Sequence, residues 1–503
     1  MKRVEMIRGA AVLLVVAMLV SGAAAARLAG PTVVSESTAR LLDAADKGTV
    51  ASLEEPSVYG PPVVGAVVRL AGTMGAESAA WFLSVAGLLL VCALASVVMF
   101  AVAGFWSALL GPTILFLHPQ VMQLLFEPSA GGLALFFLLS PALLFALAGA
   151  VRGGRLPWAV LLSVAGGGLA GVSVLAHHVG LWAAVGALLG LAVAVPRDSS
   201  NDSPGMLRPA AVGLELAAAL VTFVAAVAVG AVVAGAGKDK LVGWLFGPFG
   251  AFHPPMMVAG TVYSEAVDGG PPLWASAFLL LVRTPILLSV MAVAGAVLLP
   301  RRGIPLLSGP LAPVMLTWAA LLVCASLAGS PLFFPGLSLL APLSLVPCLL
   351  AAGATAGPGA LPGRNRAAAL AVGIILVGST AGSGLHPVPY PAAFGSLLCG
   401  GTQRCNAGND PWMEPALDSA LMEAVVSGEK ELVVTPWGSR IQGIARRLVP
   451  EGTVRIKEGG PWRTLVWRPA RSPAASLLLQ LCVPDDGGAD LPPGTARLWS
   501  ICR

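Results

Sequence analysis

The feature that most restricts this chain is a succession of apolar runs, each about 17–25 residues long and almost empty of charge. A run of that length spans a bilayer as a helix. Lipid offers no partner to backbone N–H and C=O groups, and a helix satisfies them within one segment. About eleven such runs lie near 9–29, 79–103, 105–117, 130–150, 157–176, 179–195, 210–236, 273–299, 306–329, 333–354 and 367–384. The run 105–117 is short for a crossing, and it either extends through Leu125 or dips in and returns. Charged residues make up 11% of the 503 and hydrophobic residues 56%. Soluble domains carry about 25% charged residues, so a soluble enzyme is excluded as the main reading. A disordered chain needs low hydrophobicity and is excluded too. The glycines and prolines follow no three-residue period, which excludes collagen. The net charge of +5, with no basic run interleaved with aromatics, speaks against a nucleic-acid partner. The fold class expected is an all-α polytopic membrane protein.

Lysine and arginine set the orientation, because they collect in cytoplasmic loops. Lys2, Arg3 and Arg8 precede the first run; Arg152 and Arg155, Arg197 and Arg208, Arg301 and Arg302, and Arg364 and Arg366 follow the fourth, sixth, eighth and tenth. With eleven spans all these positions fall on one side, the cytoplasm. The short loops at 118–129, 177–178 and 330–332 hold no Lys or Arg and fall outside the cell. The N-terminus is then cytoplasmic, and the protein is a multi-pass component of the cell (cytoplasmic) membrane. The start also fits a signal peptide, with small residues at Ala23–Ala26, but the apolar run continues toward Ala29 and favours a retained helix.

Two long outer segments follow from this topology: a first outer loop, 30–78, and a later one, 237–272. The chain is expected to divide into a membrane domain, 1–384, and a small extracytoplasmic α/β domain, 385–503. In the tail, charged helix patterns at 411–427 and 439–449 alternate with strand patterns at Glu431–Thr435, Thr453–Lys457 and Thr464–Arg468. Cys92, Cys324 and Cys348 lie in spans and read as small apolar residues. Cys399, Cys405, Cys482 and Cys502 all fall in the tail, and four cysteines in an outer domain suit two disulfides in any of three pairings. Metal-ligand spacing is absent from the tail, so no metal site is expected there.

Few ionisable groups lie inside the spans. Glu215 is near the cytoplasmic end of one, and Arg283 is in the first half of another. No acid sits at mid-depth with a partner, as coupled transporters need. Polar residues gather instead at the outer boundary: Glu36, Glu127, His177, His178, His253, Glu265 and Asp268. That placement suits an enzyme acting at the outer surface on a lipid-borne substrate.

The order of motifs resembles the GT-C glycosyltransferases of the protein O-mannosyltransferase and aminoarabinose-transferase type, which use polyprenyl-phosphate sugars. The first outer loop reads Ser35-Glu36-Ser37-Thr38-Ala39-Arg40 and then Tyr59-Gly60-Pro61-Pro62-Val63. The next carries His118-Pro119 and Leu124-Leu125-Phe126-Glu127-Pro128. A later one enters its helix through Gly269-Gly270-Pro271-Pro272-Leu273-Trp274 and ends Val282-Arg283-Thr284-Pro285. Gly60 stands where the family often has lysine before its paired prolines, and Ser35-Glu36 where it usually has Asp-Glu.

The resemblance implies a GT-C fold with an outer α/β domain. It also implies sugar transfer from a polyprenyl-phosphate donor to a lipid, glycan or protein acceptor, inverting, metal-independent and without cofactor. On that reading Glu36 is the catalytic base and Glu127 positions the acceptor or braces the first loop. Arg40, Lys47, Arg69, Lys238, Lys240 and Arg283 are candidates to neutralise the departing phosphate. His253 and Asp268 are acceptor or loop residues. Membrane lipids are the remaining partners. A non-catalytic GT-C relative, or a transporter of a lipid-linked substrate, is the alternative. Plainer roles stand beside these. Glu36 and Glu127 fit acids or turns at helix starts, and Arg40 fits a solvated partner of Glu36. Lys238 and Lys240 fit interface anchors. His177 and His178 fit caps for helix carbonyls, and Trp81, Trp158, Trp244 and Trp274 fit a belt at the membrane interface.

Overall fold

The computed structural model describes residues 22, 41–42, 44–48, 59–126, 129–152, 155–194, 207–235, 238–250, 256–258, 261–263, 273–274, 277, 280–281, 284–327, 340–355 and 363–384, and four short strands beyond residue 430. The first apolar run, 9–29, lies outside the described residues apart from Gly22, which sits beside Phe116. Each later run overlaps helix among the described residues; 306–311 is turn, and 333–339 and most of 273–283 lie outside the described residues.

A first helix, α1 (Pro61–Met74), precedes the bundle and buries Val63, Val64 and Val67. Then come α2 (Ala76–Ala103), α3 (Phe105–Phe116), α4 (Pro119–Phe126), α5 (Gly131–Val151), α6 (Leu156–Ala176) and α7 (Gly180–Val193). After them run α8 (Leu207–Val233) and α9 (Lys238–Gly250). The later helices are α10 (Ile286–Arg301), α11 (Ala312–Leu327), α12 (Leu340–Leu343), α13 (Leu345–Thr355) and α14 (Gly363–Gly384). Among the described residues, four helices are long and apolar enough to cross a membrane: α2, α5, α6 and the Ala210–Val233 part of α8.

The short run at 105–117 has a definite outcome. α3 ends at Phe116, the chain turns at Leu117-His118, and α4 carries on to the level of the start of α2. There Trp81 Nε1 donates to the Leu125 carbonyl at 3.0 Å, and Ser84 Oγ to the Leu124 carbonyl at 2.9 Å. The segment therefore extends through Leu125 in two pieces and does not turn back.

Lipid supplies no hydrophobic drive between helices, so close backbone approach carries the packing. Small residues permit it. A Cβ at Gly132 would fall on the Ser84 carbonyl, and one at Gly190 on Pro313. Gly167 meets Ala219 and Thr222, and Gly295 meets the Leu350 carbonyl. These residues set the α2–α5, α7–α11, α6–α8 and α10–α13 crossings. α5 lies at the centre of the bundle. α8 lies at its edge, with Val221, Val224, Val229, Val232 and Val233 exposed, as a lipid-facing helix requires. Cys92, Cys324 and Cys348 are buried free thiols among apolar neighbours, as expected of small core residues.

One end of the bundle holds the ends of α5 and α7 and the start of α8. Arg152 donates to Glu215 through Nε (2.7 Å) and Nη2 (2.9 Å), and its Nη1 donates to the Ala194 carbonyl (2.6 Å). Ser163 Oγ completes the carboxylate's set at 3.4 Å. Arg302, on the same side through the Pro310–Gly149 approach, donates to the Gly353 carbonyl at 2.9 Å. Arg152 and Arg302 are thus fasteners between helices. Arg155 and Arg301 stay exposed.

In the segment 237–272, β1 (Met256–Val258) and β2 (Thr261–Tyr263) form an antiparallel pair. In the tail, β3 (Glu431–Val434) pairs in parallel with β4 (Arg455–Glu458), and β5 (Leu479–Gln480) with β6 (Trp499–Ser500). The tail helices expected at 411–427 and 439–449, the strand at Thr464–Arg468 and the domain boundary near 385 lie outside the described residues.

Candidate functional site

The end of the bundle opposite Arg152 gathers residues from separate segments. Tyr59 closes the first outer segment and is buried at 1% exposure, forming an antiparallel bridge with His177. The Gly60 N–H donates to the Ala176 carbonyl at 2.9 Å. The backbone approach there leaves no room for a side chain, since a Cβ on Gly60 would overlap the Leu175 carbonyl. That overlap explains why no lysine stands before the paired prolines.

α9 reaches the same point. Trp244 Nε1 donates to the Val174 carbonyl at 2.8 Å, and its ring lies 4.8 Å from that of His178 at 30°. The carbonyls of Val174 and Ala176 belong to the last turn of α6, whose C=O groups have no intrahelical partner. Tyr59-Gly60 and Trp244 satisfy them from outside.

His177 does not cap a carbonyl. Its Nδ1 accepts the Val179 N–H at 3.3 Å, which folds the turn into α7. Its Nε2 is buried without a hydrogen-bond partner.

His118 repeats the pattern at the start of α4. Its carbonyl accepts from Val121 and Met122, and its Nδ1 accepts the Gln120 N–H at 3.3 Å, so His118 is the N-cap. Pro119 follows at the first helical position, where its missing N–H costs nothing. Among the described residues, His118 Nε2 and Gln120 Oε1 are both buried without a partner. Downstream, Gly132 N donates to Ser84 Oγ at 2.9 Å, Gly131 N to Ser129 Oγ at 3.2 Å, and Ala130 takes a left-handed φ of 54°. The chain on both sides of residue 127 is therefore pinned near the first turns of α2.

Burial pushes His178 down to about 4. It also holds His177 well below the ordinary histidine range, with repulsion from His178 adding to the effect. These imidazoles are neutral near pH 7, so neutralising an anion falls to lysine or arginine. Among the described residues, no three His, Cys, Asp or Glu side chains gather as a metal site would require.

The candidate phosphate cations are differently placed. Lys240 is exposed on α9, four residues before Trp244 and so about 6 Å along the axis from the junction. Lys238 begins the same helix. Arg69 is exposed on α1, roughly 14 Å along that helix from Gly60. Lys47 is exposed beyond the buried pair Leu41 and Leu42. Glu36, Arg40, Glu127, His253, Asp268, Arg283 and the four tail cysteines lie outside the described residues.

The tryptophans divide. Trp158 and Trp274 are exposed at 57% and 50%, as a belt requires. Trp81 and Trp244 instead turn inward and donate to carbonyls, because their indole N–H groups find orphan acceptors at helix ends. Gly60, Gln120 and Ser84 were not marked as site residues by the sequence. Gly60 carried a signal, as a glycine immediately before two prolines.

No family model and no curated protein matches this chain. Solved structures do. ArnT from Cupriavidus metallidurans in the apo state superposes with a TM-score of 0.52 at 13% identity, covering 90% of this chain and 86% of that one. The same protein bound to undecaprenyl phosphate gives 0.51 at 13% identity, covering 88% and 85%. The chain therefore shares the GT-C fold over most of its length.

Proposed function

We propose that this chain is a membrane glycosyltransferase that moves a sugar from a polyprenyl-phosphate carrier to an acceptor at the Tyr59–His177–Trp244 end of the bundle. The observation that carries this reading is the GT-C fold, shared over nearly the whole chain with a protein solved with undecaprenyl phosphate. The motif order and the clustering of polar residues at one end support it.

The chemistry is a single displacement. The acceptor hydroxyl or amine attacks the anomeric carbon, the bond from that carbon to the phosphate oxygen breaks, and configuration inverts. Glu36 takes the acceptor's proton, and polyprenyl phosphate leaves. Glu127 orients the acceptor. His253 and Asp268 line its approach. Arg40, Lys47, Arg69, Lys238, Lys240 and Arg283 are the cations available for the developing phosphate charge, Lys240 standing one turn before Trp244 on α9. The neutral histidines add no charge to that task. Residues 385–503 form an outer domain beside the site, with Cys399, Cys405, Cys482 and Cys502 paired as two disulfides.

The test is native mass spectrometry of the gently purified chain, followed by a transfer assay with polyprenyl-phosphate sugars. The expected result is co-purified polyprenyl phosphate or its sugar ester. Glu36→Gln should then slow transfer by about 10²–10⁴ while lipid binding persists. Transfer at the wild-type rate in Glu36→Gln would remove Glu36 as the base. Bulk phospholipid alone, with no transfer of any added ester, would point to a non-catalytic relative or a transporter.

A further inference from the structure

His118 and Gln120 pose a problem that the proposed transfer chemistry does not solve. His118 Nδ1 is occupied by the Gln120 N–H, so in the neutral ring the proton sits on Nε2. That Nε2–H is a buried donor without a partner. Two residues on, Gln120 Oε1 is a buried acceptor without a partner. Leaving either unmet costs about 1–3 kcal/mol, and folded proteins rarely do so. A donor and an acceptor left open within one turn define the chemistry of what would satisfy both. A phosphate or carboxylate would meet the Nε2–H but would face the Gln120 oxygen with another oxygen. A cation would meet the oxygen but face an N–H. A hydroxyl accepts from one and donates to the other. His177 shares the turn and the open Nε2, but no open acceptor stands beside it among the described residues.

We propose that His118 and Gln120 form a subsite for a sugar hydroxyl, carried by the lipid-linked donor or by the acceptor. The proposal rests on the transferase reading for its location. The turn begins α4, whose far end leads to Glu127 and is fastened to α2 through Trp81 and Ser84.

Two variants test it. His118→Asn keeps an N-cap oxygen for the Gln120 N–H and removes the Nε2–H. Gln120→Met keeps the volume and removes the acceptor. Affinity is measured for undecaprenyl phosphate and for its hexose and pentose esters. With the donor as source, both variants weaken the ester about tenfold and leave the bare lipid unchanged. With the acceptor as source, ester affinity holds and the acceptor KM rises about tenfold. The proposal is overturned if neither quantity moves, which marks an internal water, or if bare lipid and ester weaken together, which marks a structural effect.

A second measurement does not depend on transfer. The melting temperature is read with methyl hexosides and pentosides in a sugar-free detergent. A shift in the wild type that both variants lose supports the subsite, even in a chain that transfers nothing. No shift in a wild type that also binds no ester overturns it.

Discussion

The two ends of the bundle handle buried polarity in opposite ways. At one end, Arg152 and Glu215 are removed from water, but nearly every donor and acceptor is answered: two parallel N–H···O bonds, the Ala194 carbonyl and Ser163. Toward the other, His177 Nε2 is just as deep and unanswered among the described residues, as are His118 Nε2 and Gln120 Oε1 at the turn between α3 and α4. A buried ion pair that is fully met fastens helices and has nothing left to offer a ligand. Buried groups left open have bonding capacity in reserve; His177 stands where Tyr59-Gly60 and α9 meet the end of α6, and His118 and Gln120 stand at the turn between α3 and α4. The difference teaches where chemistry is to be sought in a chain with so few charges.

The contrast can be broken most forcefully at the closed end. Glu215→Ala should destabilise the protein by about 3–5 kcal/mol, because it leaves the Arg152 guanidinium buried alone. Arg152→Met combined with Glu215→Met should recover most of that loss. Thermal unfolding in detergent reads both, and a single variant that melts like the wild type would deny the pair its fastening role.

At the open end the largest effect is expected from Gly60→Ala, whose Cβ would displace the Leu175 backbone at about 1–3 kcal/mol. Gly65→Ala is the matched control. It meets open space on the same helix and should stabilise by about 0.5–1 kcal/mol. If both substitutions shift the melting temperature alike, the backbone junction with α6 is not as described.

Trp244→Phe keeps the ring but removes the bond to the Val174 carbonyl, and should cost about 1 kcal/mol. Trp158→Phe, on an exposed ring, should leave the melting temperature where it was.

The mildest effect near neutrality is on pH dependence. His177 and His178 have folded pKa values depressed by burial from the ordinary 6.5, with His178 at about 4. The unfolded chain binds protons first, so their contribution is intact above 6.5 and is lost progressively as pH falls toward 4. Melting temperature measured from pH 7.5 to 4.5 should decline, and His177→Asn should flatten the decline. A profile unchanged by that substitution would mean His177 is not held neutral.

Much of the fold was legible because its cause is local. A long uncharged run must become a helix in lipid, and α2, α5, α6 and α8 follow from that alone. The run at 105–117 resisted because its resolution is not local. Only the bonds from Trp81 and Ser84 to Leu125 and Leu124 show where α4 lies. The tryptophans show the same limit. Their positions near span ends suggested a belt for all four, yet Trp81 and Trp244 face inward, because an indole's direction depends on which carbonyls the neighbouring helix leaves open. Of the site, the sequence picked out the outer loops, His177 and the Tyr59–Val63 motif. It assigned His177 to capping carbonyls, whereas the ring accepts a backbone N–H.

What the amino-acid sequence determined by itself is the apolar helical character of the chain, since backbone satisfaction in lipid allows little else. What only the tertiary structure decided is which polar groups meet. Arg152 and Glu215 are 63 positions apart, and Trp244 and Val174 are 70. No local pattern encodes such pairs. They form because small residues let helices approach closely enough for one segment's open donors to reach another's open acceptors, and where no such reach exists His118 and Gln120 remain open.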